Sequence, residues 1–339
     1  MFKRKSFIPH DRPVYREVLP KALKAAWRHP QYWIVGIFAA FLNSGSMLDV
    51  GWKFWNAIQQ QGSDIFIGHA AVQIWGTASI GGFHWLPFFQ ATLALLTLFV
   101  ILVAVLAFSC VCQGAMVHAM GSWKDGWVER FKQSLHVGAK ALIPIAVLNM
   151  VVVASIWVAR FFVSLPLAIA LGRSNGLYMA VYLVSFIVFF VLAVFMSILQ
   201  IYALNAMILQ GASLAQAFKR AWLTLKEHWL VTLETALLQA LIVLLLFVAS
   251  MIALMVLVFP SAILYVLAVL QNNLWLFQVS LGIFFGIIII FILVLTGFTV
   301  TFHYALWAMM YRKLGEGGVT AKIHRLYRLV TRQTKVPQS

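Results

Sequence analysis

The chain has 339 residues, 63% of them hydrophobic and only 10% charged, against roughly 25% charged in a soluble domain. This composition excludes the ordinary water-soluble classes and indicates a polytopic membrane protein. The balance of 25 Lys and Arg to 9 Asp and Glu would suggest nucleic acid in a soluble protein. Here the basic residues flank apolar runs and no basic, aromatic-interleaved platform appears, so the expected partner is the bilayer, with anionic headgroups as counter-charge, and not nucleic acid.

Residues 1–30 carry eight Lys and Arg. Val18, Leu19, Leu23, Ala26 and Trp27 recur at helical spacing and predict an amphipathic helix over 17–29, ended by Pro30. The first apolar run begins only near Tyr32 and no small-residue cleavage site follows it, which argues for an uncleaved membrane protein rather than a signal peptide. Span one is predicted over Gln31–Leu48, with Tyr32 and Trp33 as interfacial anchors. The connection 49–86 is too polar to span and too rich in Trp for a free linker. Partial helix packed on the outer membrane face is expected there, with a re-entrant segment as the other reading.

Span two is predicted over Phe88–Met116, followed by a second amphipathic segment at 126–138. Span three covers Ala141–Ala159, or continues past Arg160 to Leu171, and span four covers Leu177–Leu209. Ser213 is a good N-cap. After it Leu214, Phe218, Ala221, Trp222, Leu225 and Trp229 form an apolar stripe, with Lys219, Arg220 and Lys226 largely opposite, so 213–228 is predicted as a surface helix in the membrane interface. Span five is predicted over Leu230–Phe259, stopped by Pro260. A charge-free connection, 260–275, leads to span six, Leu276–Tyr311. Several of these runs exceed the ~20 residues that cross a bilayer, so they must tilt or project. In the basic tail, 312–339, Ile323, Leu326, Tyr327 and Val330 make a stripe that suggests a closing interfacial helix; a disordered basic tail is the alternative.

Lys and Arg number eight before residue 31, four in 117–140, three in 210–229 and seven after residue 311. Only Lys53, Arg160 and Arg173 fall on the other side, so the positive-inside rule puts both termini in the cytoplasm and requires an even number of spans. The surface segments resemble one another. Leu23, Lys24, Ala25, Ala26 and Trp27 parallel Phe131, Lys132, Gln133, Ser134 and Leu135, and again Phe218, Lys219, Arg220, Ala221 and Trp222. Each precedes two spans. The fold class read from this pattern is all-α: one integral membrane domain over 1–339, comprising a cytoplasmic segment 1–30, a six-span bundle 31–311 and a basic cytoplasmic tail. Its expected plan is a threefold repeat of surface helix plus transmembrane hairpin.

A glycine and short spacer, then Ala217 to Trp222 reading Ala-Phe-Lys-Arg-Ala-Trp, then His228-Trp229 leading into a span, is a recurrent signature. With the opening LKAAWRHPQYWIVGIFAAFL it resembles bacterial six-span proteins of the glycerophosphoryl diester phosphodiesterase membrane-domain and YciC-like group. The resemblance covers most of the chain in layout and implies a bacterial inner-membrane location. Some members carry a phosphodiesterase domain beside the membrane part. This chain has no room for one outside its spans, so the resemblance carries no catalytic residues here.

No nucleophile elbow, zinc-protease, P-loop or dinucleotide fingerprint occurs, and nine acids leave little for paired-carboxylate catalysis. The nine histidines share no ligand spacing. Cys110 and Cys112, two apart, sit about 200° apart on a helix and are read as small apolar residues, not as metal ligands or a disulfide framework. No catalytic residue, metal or cofactor is therefore expected. Glu234 is the one acid inside a span, and a buried ionisable group there is a functional candidate. His303, Gln239 and Gln113 could complete a polar cluster with it, read first as an interhelical hydrogen-bond set and second as a proton-coupling site. The expected role is non-enzymatic, organising membrane or partner proteins, with a membrane-protein partner or a second copy as the associate. The alternative is a small-solute or lipid transporter.

Overall fold

The computed structural model describes residues 14–43, 85–122, 131–172 and 176–316. They form eight helices: α1 (Val14–Arg28), α2 (Gln31–Asn43), α3 (Trp85–Gly121), α4 (Phe131–Lys140), α5 (Leu142–Gly172), α6 (Gly176–Gln210), α7 (Leu214–Leu270) and α8 (Leu274–Glu316). No strand occurs among the described residues. Five helices, α3, α5, α6, α7 and α8, are long and apolar enough to cross a membrane, which makes this a helical membrane protein. The 13 described residues of α2 rise only about 20 Å, short of ~30 Å of hydrocarbon. The expected outer connection at 49–84, the segment 123–130 and the tail stripe at 323–330 lie outside the described residues.

Neighbours in sequence pair as hairpins, α2 with α3, α5 with α6, and α7 with α8, and α3, α6 and α8 meet one another at the centre. The surface helices follow a rule of their own. α1 packs on α8, α4 on α3, and α7 on α6. Each rests on the second long helix of a hairpin that precedes it, if the chain is read as a ring.

The aromatic stripe does not make these seats. α1 buries Val18, Ala22, Ala25 and Ala26; α4 buries Ser134 and Gly138; the start of α7 buries Ala217, Ala221 and Leu225. Ala26, Ser134 and Ala221, the residues matched across the three segments, are all 0% exposed. Small side chains let one helix backbone approach another closely, which is how helices associate where lipid offers no hydrophobic drive. At α4 a Cβ on Gly138 would stand 2.3 Å from the carbonyl oxygen of Val111. The expected stripe instead faces outward at its aromatic positions, with Trp27 70% and Trp222 52% exposed. The aromatics still make edge contacts to the bundle. Trp27 meets Phe298 at 5.9 Å, Phe131 meets Tyr32 at 5.5 Å and Trp222 meets Phe195 at 5.7 Å.

Two boundaries differ from expectation. Pro260 does not stop the fifth long helix, which runs to Leu270 with Pro260 inside it. Pro costs one backbone donor, but ending a helix in hydrocarbon would strand several polar groups, so one missing bond is the cheaper outcome. The reversal comes at Gln271–Asn273. Asn272 takes a left-handed φ of 48°, a conformation Asn tolerates, and Asn273 Oδ1 accepts the Leu276 amide at 3.2 Å as an N-cap. The surface helix and the following span are also one continuous α7, bent where His228 leaves helical geometry (φ −125°, ψ 26°). Pro30 ends α1 as expected, α3 reaches Gly121, and α5 continues through Arg160 to Gly172.

Candidate functional site: a polar belt and an axial cavity

Polar side chains from all five long helices form three hydrogen-bonded sets between helices. Gln200 on α6 donates from Nε2 to Asn149 Oδ1 on α5 at 2.6 Å. Asn149 Nδ2 donates to Gln113 Oε1 on α3 at 2.8 Å. A second set joins α7 to α8, with Gln239 Nε2 2.6 Å from His303 Nδ1. Gln239 Oε1 accepts from Trp307 Nε1 at 2.6 Å. With that oxygen occupied, the amide nitrogen faces the ring, so Nδ1 accepts and the imidazole proton sits on Nε2. Tyr202 on α6 bonds Thr232 on α7 at 2.7 Å. These sets lie roughly 6–17 Å along the helix axes from the end that carries the surface helices.

The sequence singled out Glu234, His303, Gln239 and Gln113. The structure bonds His303 directly to Gln239 and places Gln113 in a separate set with Asn149 and Gln200. Glu234 is half-buried on α7, five residues before Gln239. Sequence reasoning missed Asn149, Trp307, Tyr202 and Thr232. An Asn in the middle of an apolar run is the signal that could have found Asn149, because an unpaired amide in hydrocarbon is costly. Asn205, 0% exposed, donates to the Ile201 carbonyl at 2.7 Å and leaves its Oδ1 without a partner.

At the same end, a partly open cavity of about 460 Å³ lies where α3, α6 and α8 converge. Its walls include His118 and Ser122 at the end of α3, Ile208, Leu209 and Gln210 at the end of α6, and Tyr311, Arg312 and Gly315 on α8. Arg312 Nη1 donates to the Gly121 carbonyl at 3.0 Å, so its guanidinium covers the C-terminus of α3. Gly211, at φ +62°, turns the chain out of α6, with the Ala212 amide on the Ala206 carbonyl at 3.3 Å. Arg220 Nη1 donates to Gln210 Oε1 at 2.8 Å. A sequence signal for this site exists: Ala-Met followed by an apolar residue at 115–117, 206–208 and 308–310, just before the cavity wall on each of the three helices.

The interfacial residues Lys24, Lys132, Lys219 and Arg220 are exposed, as the basic faces of α1, α4 and α7 require, and Phe218 is half-buried. Cys110 and Cys112 are buried free thiols in α3. Among the described residues, no group of three His, Cys, Asp or Glu could hold a metal ion. In comparison with known proteins, the chain matches no family model, no curated protein and no solved structure.

Proposed function

We propose that this is a non-enzymatic bacterial inner-membrane protein that organises the membrane or its proteins, built from three units of surface helix and transmembrane hairpin. In this reading α2 begins the first of six spans and both termini face the cytoplasm. The observation that carries it is the common seating of α1, α4 and α7. Each places the matched small residue, Ala26, Ser134 or Ala221, into the bundle and leaves basic and aromatic side chains outside. Such a ring of short basic helices presents itself to one leaflet of anionic lipid, at about 1 kcal/mol per basic residue near the surface. The hydrogen bonds between the long helices support a fixed frame, since separating the helices would break several of them. The proposed kinship with the six-span membrane-domain group rests on the same layout.

Topology is tested by single cysteines at Lys24, Lys132 and Lys219 in a background lacking Cys110 and Cys112. All three should react with a membrane-impermeant thiol reagent in inverted vesicles and none in intact cells. Labelling of any of them from outside would overturn the arrangement. The role is tested in liposomes. Increasing protein density should alter vesicle shape while ion and small-solute permeability stays at the protein-free level. A transporter is the second reading, favoured by the axial cavity above the belt. Solute flux that disappears in a folded Gln239→Leu variant would establish it over the first.

A further inference from the structure

We propose that the axial cavity binds a hydroxyl group, borne either by the headgroup of a membrane lipid or by a free polyol, and that Asn205 Oδ1 accepts its proton at the inner end of the cavity, directly or across one water. Asn205 is 0% exposed. Its Nδ2 donates to the Ile201 carbonyl of its own helix at 2.7 Å, which fixes that atom as the donor and the other as the acceptor. The acceptor, Oδ1, meets no donor among the described residues. A buried amide oxygen in this state is costly, and such an atom marks the place of a bound donor. The site is the same whether the protein organises the membrane or moves a solute.

Helix geometry puts this oxygen on the bundle axis, beneath the cavity. On α6, Ile208 and Leu209 face α3. Ile208 Cδ1 lies 3.5 Å from where a Cβ on Gly114 would stand, and Leu209 packs on Gly121. Tyr202 faces α8, its ring 5.7 Å from that of Trp307 and 5.8 Å from that of Tyr311. At about 100° per residue, Asn205 falls between Ile208 on one side and Leu209 and Tyr202 on the other. It therefore points to where α3, α6 and α8 meet. Ile208 and Leu209 are walls of the cavity, and the Cα of Asn205 lies about 5 Å deeper than theirs. The occupant must bring a donor, because a carboxylate or phosphate oxygen would set lone pair against lone pair. A hydroxyl donates and accepts at once, and being neutral it enters a cavity with apolar walls at a lower desolvation cost than an ammonium ion. A volume of about 460 Å³ lies within the ~300–1,000 Å³ of small-molecule sites, which leaves room for the group that bears the hydroxyl.

The test uses the full chain. Purified protein is incorporated into nanodiscs that mix phosphatidylglycerol, whose headgroup ends in hydroxyls, with phosphatidylmethanol, which has the same charge and no hydroxyl. Native mass spectrometry reads the lipid retained, and saturation-transfer NMR in detergent reads contact with glycerol. Selective retention of phosphatidylglycerol identifies a headgroup, saturation transfer to glycerol identifies a free polyol, and one of the two is expected. Asn205→Leu should weaken that binding about ten-fold, the loss of one buried hydrogen bond, whereas a merely structural Asn205 would leave it unchanged. Because this variant alters the bundle interior, a second one leaves Asn205 intact. A Cβ on Gly315, a residue of the cavity wall, would meet nothing within 4 Å, so Gly315→Phe should fill the cavity without disturbing the helices and should abolish binding. Ser250→Ala, on α7 outside the cavity, should bind as the natural protein does. Equal retention of the two lipids with no transfer to glycerol would overturn the proposal, since a bound water alone would then satisfy Oδ1. Undiminished binding by Asn205→Leu or by Gly315→Phe would overturn it as well.

Discussion

The two ends of the bundle are built by opposite rules. At the end that carries the surface helices, Tyr32, Met116, Leu148, Tyr202, Phe302 and Met310 are each under 2% exposed, and helix backbones touch. A Cβ on Gly36 would stand 2.8 Å from the Gly297 carbonyl oxygen, and Thr301 Oγ1 reaches the Tyr32 carbonyl at 3.2 Å. At the far end the α7–α8 hairpin stands with consecutive residues exposed, as at Met255, Val256 and Leu257 or Ile292, Leu293 and Val294. Consecutive residues point about 100° apart on a helix, so most of the circumference is uncovered. The side chains buried there, Ser250, Ser261, Ala268 and Ser280, are small, and the three serines bond back to their own helices. The contrast teaches where specificity resides: shape and hydrogen bonding determine the packed end, while the far end needs only to be helical and apolar.

Length sharpens the point. From His228 to Leu270, α7 rises about 63 Å, twice the ~30 Å of hydrocarbon, and the chain carries no Asp, Glu, Lys or Arg between Glu234 and Arg312. Such a hairpin must tilt strongly, locally thicken the bilayer or project beyond it.

Glycine substitutions should break the contrast most sharply. Gly138→Ala puts a Cβ 2.3 Å from a backbone oxygen of α3. Backbone cannot rotate away as a side chain can, so a loss of about 3 kcal/mol or more is expected, at or beyond the upper end of overpacking costs. Gly282→Ala, where a Cβ meets nothing within 4 Å, should be neutral or gain up to ~1 kcal/mol from helix propensity. Unfolding midpoints in detergent compare the two. Equal destabilisation would show that the far end is packed against something that its exposure does not reveal.

The belt should give an intermediate effect. Asn149→Leu removes the residue that joins Gln113 to Gln200 and leaves two amides short of a partner, at about 1–2 kcal/mol. Ser250→Ala, whose hydroxyl serves only the Phe247 carbonyl of its own helix, should cost less than about 0.5 kcal/mol. If the two substitutions cost the same, the belt does not hold the bundle.

The helical class and most of the long helices were legible because hydrophobic runs of this length have no other reading. The turn at 271–273 was missed because Pro260 is the stronger breaker in water, while in hydrocarbon the unsatisfied backbone decides. The seating of the surface helices was legible in part. Val18, Ala26, Ala221 and Leu225 of the expected stripes are buried, whereas Trp27 and Trp222 of the same stripes stay outside, because close backbone approach selects the smaller residues. At the candidate site, His303, Gln239 and Gln113 stood out as polar residues in apolar runs. Trp307, the partner of Gln239, did not, because an aromatic in a membrane helix passes for an apolar one until its polar atom finds a neighbour. The axial cavity was invisible to periodicity, which describes one helix at a time, whereas the cavity is made by three.

The smallest effect is expected where the packed end meets water. The carboxylate of Glu17 on α1 takes Lys21 Nζ at 3.1 Å and Lys313 Nζ of α8 at 3.3 Å, with its side chain 43% exposed. The hydrogen bond from Lys21 is the largest influence, and with the contributions of Lys313 it outweighs partial burial, so the carboxyl lies below its ordinary value. A carboxyl depressed in the folded state contributes stability above its unfolded value near 4.5, and that stability is lost as the pH falls through the lower folded value. An exposed pair of this kind is worth about 0–1 kcal/mol and is screened by salt. Glu17→Gln should therefore lower stability by less than about 1 kcal/mol at neutral pH, and the difference from the natural protein should vanish in acid and shrink in 1 M salt. A loss above about 2 kcal/mol would mean that α1 is held by this contact rather than by Ala22, Ala25 and Ala26, and the rule that small residues seat the surface helices would fail at the one helix where a charge offers a competing explanation.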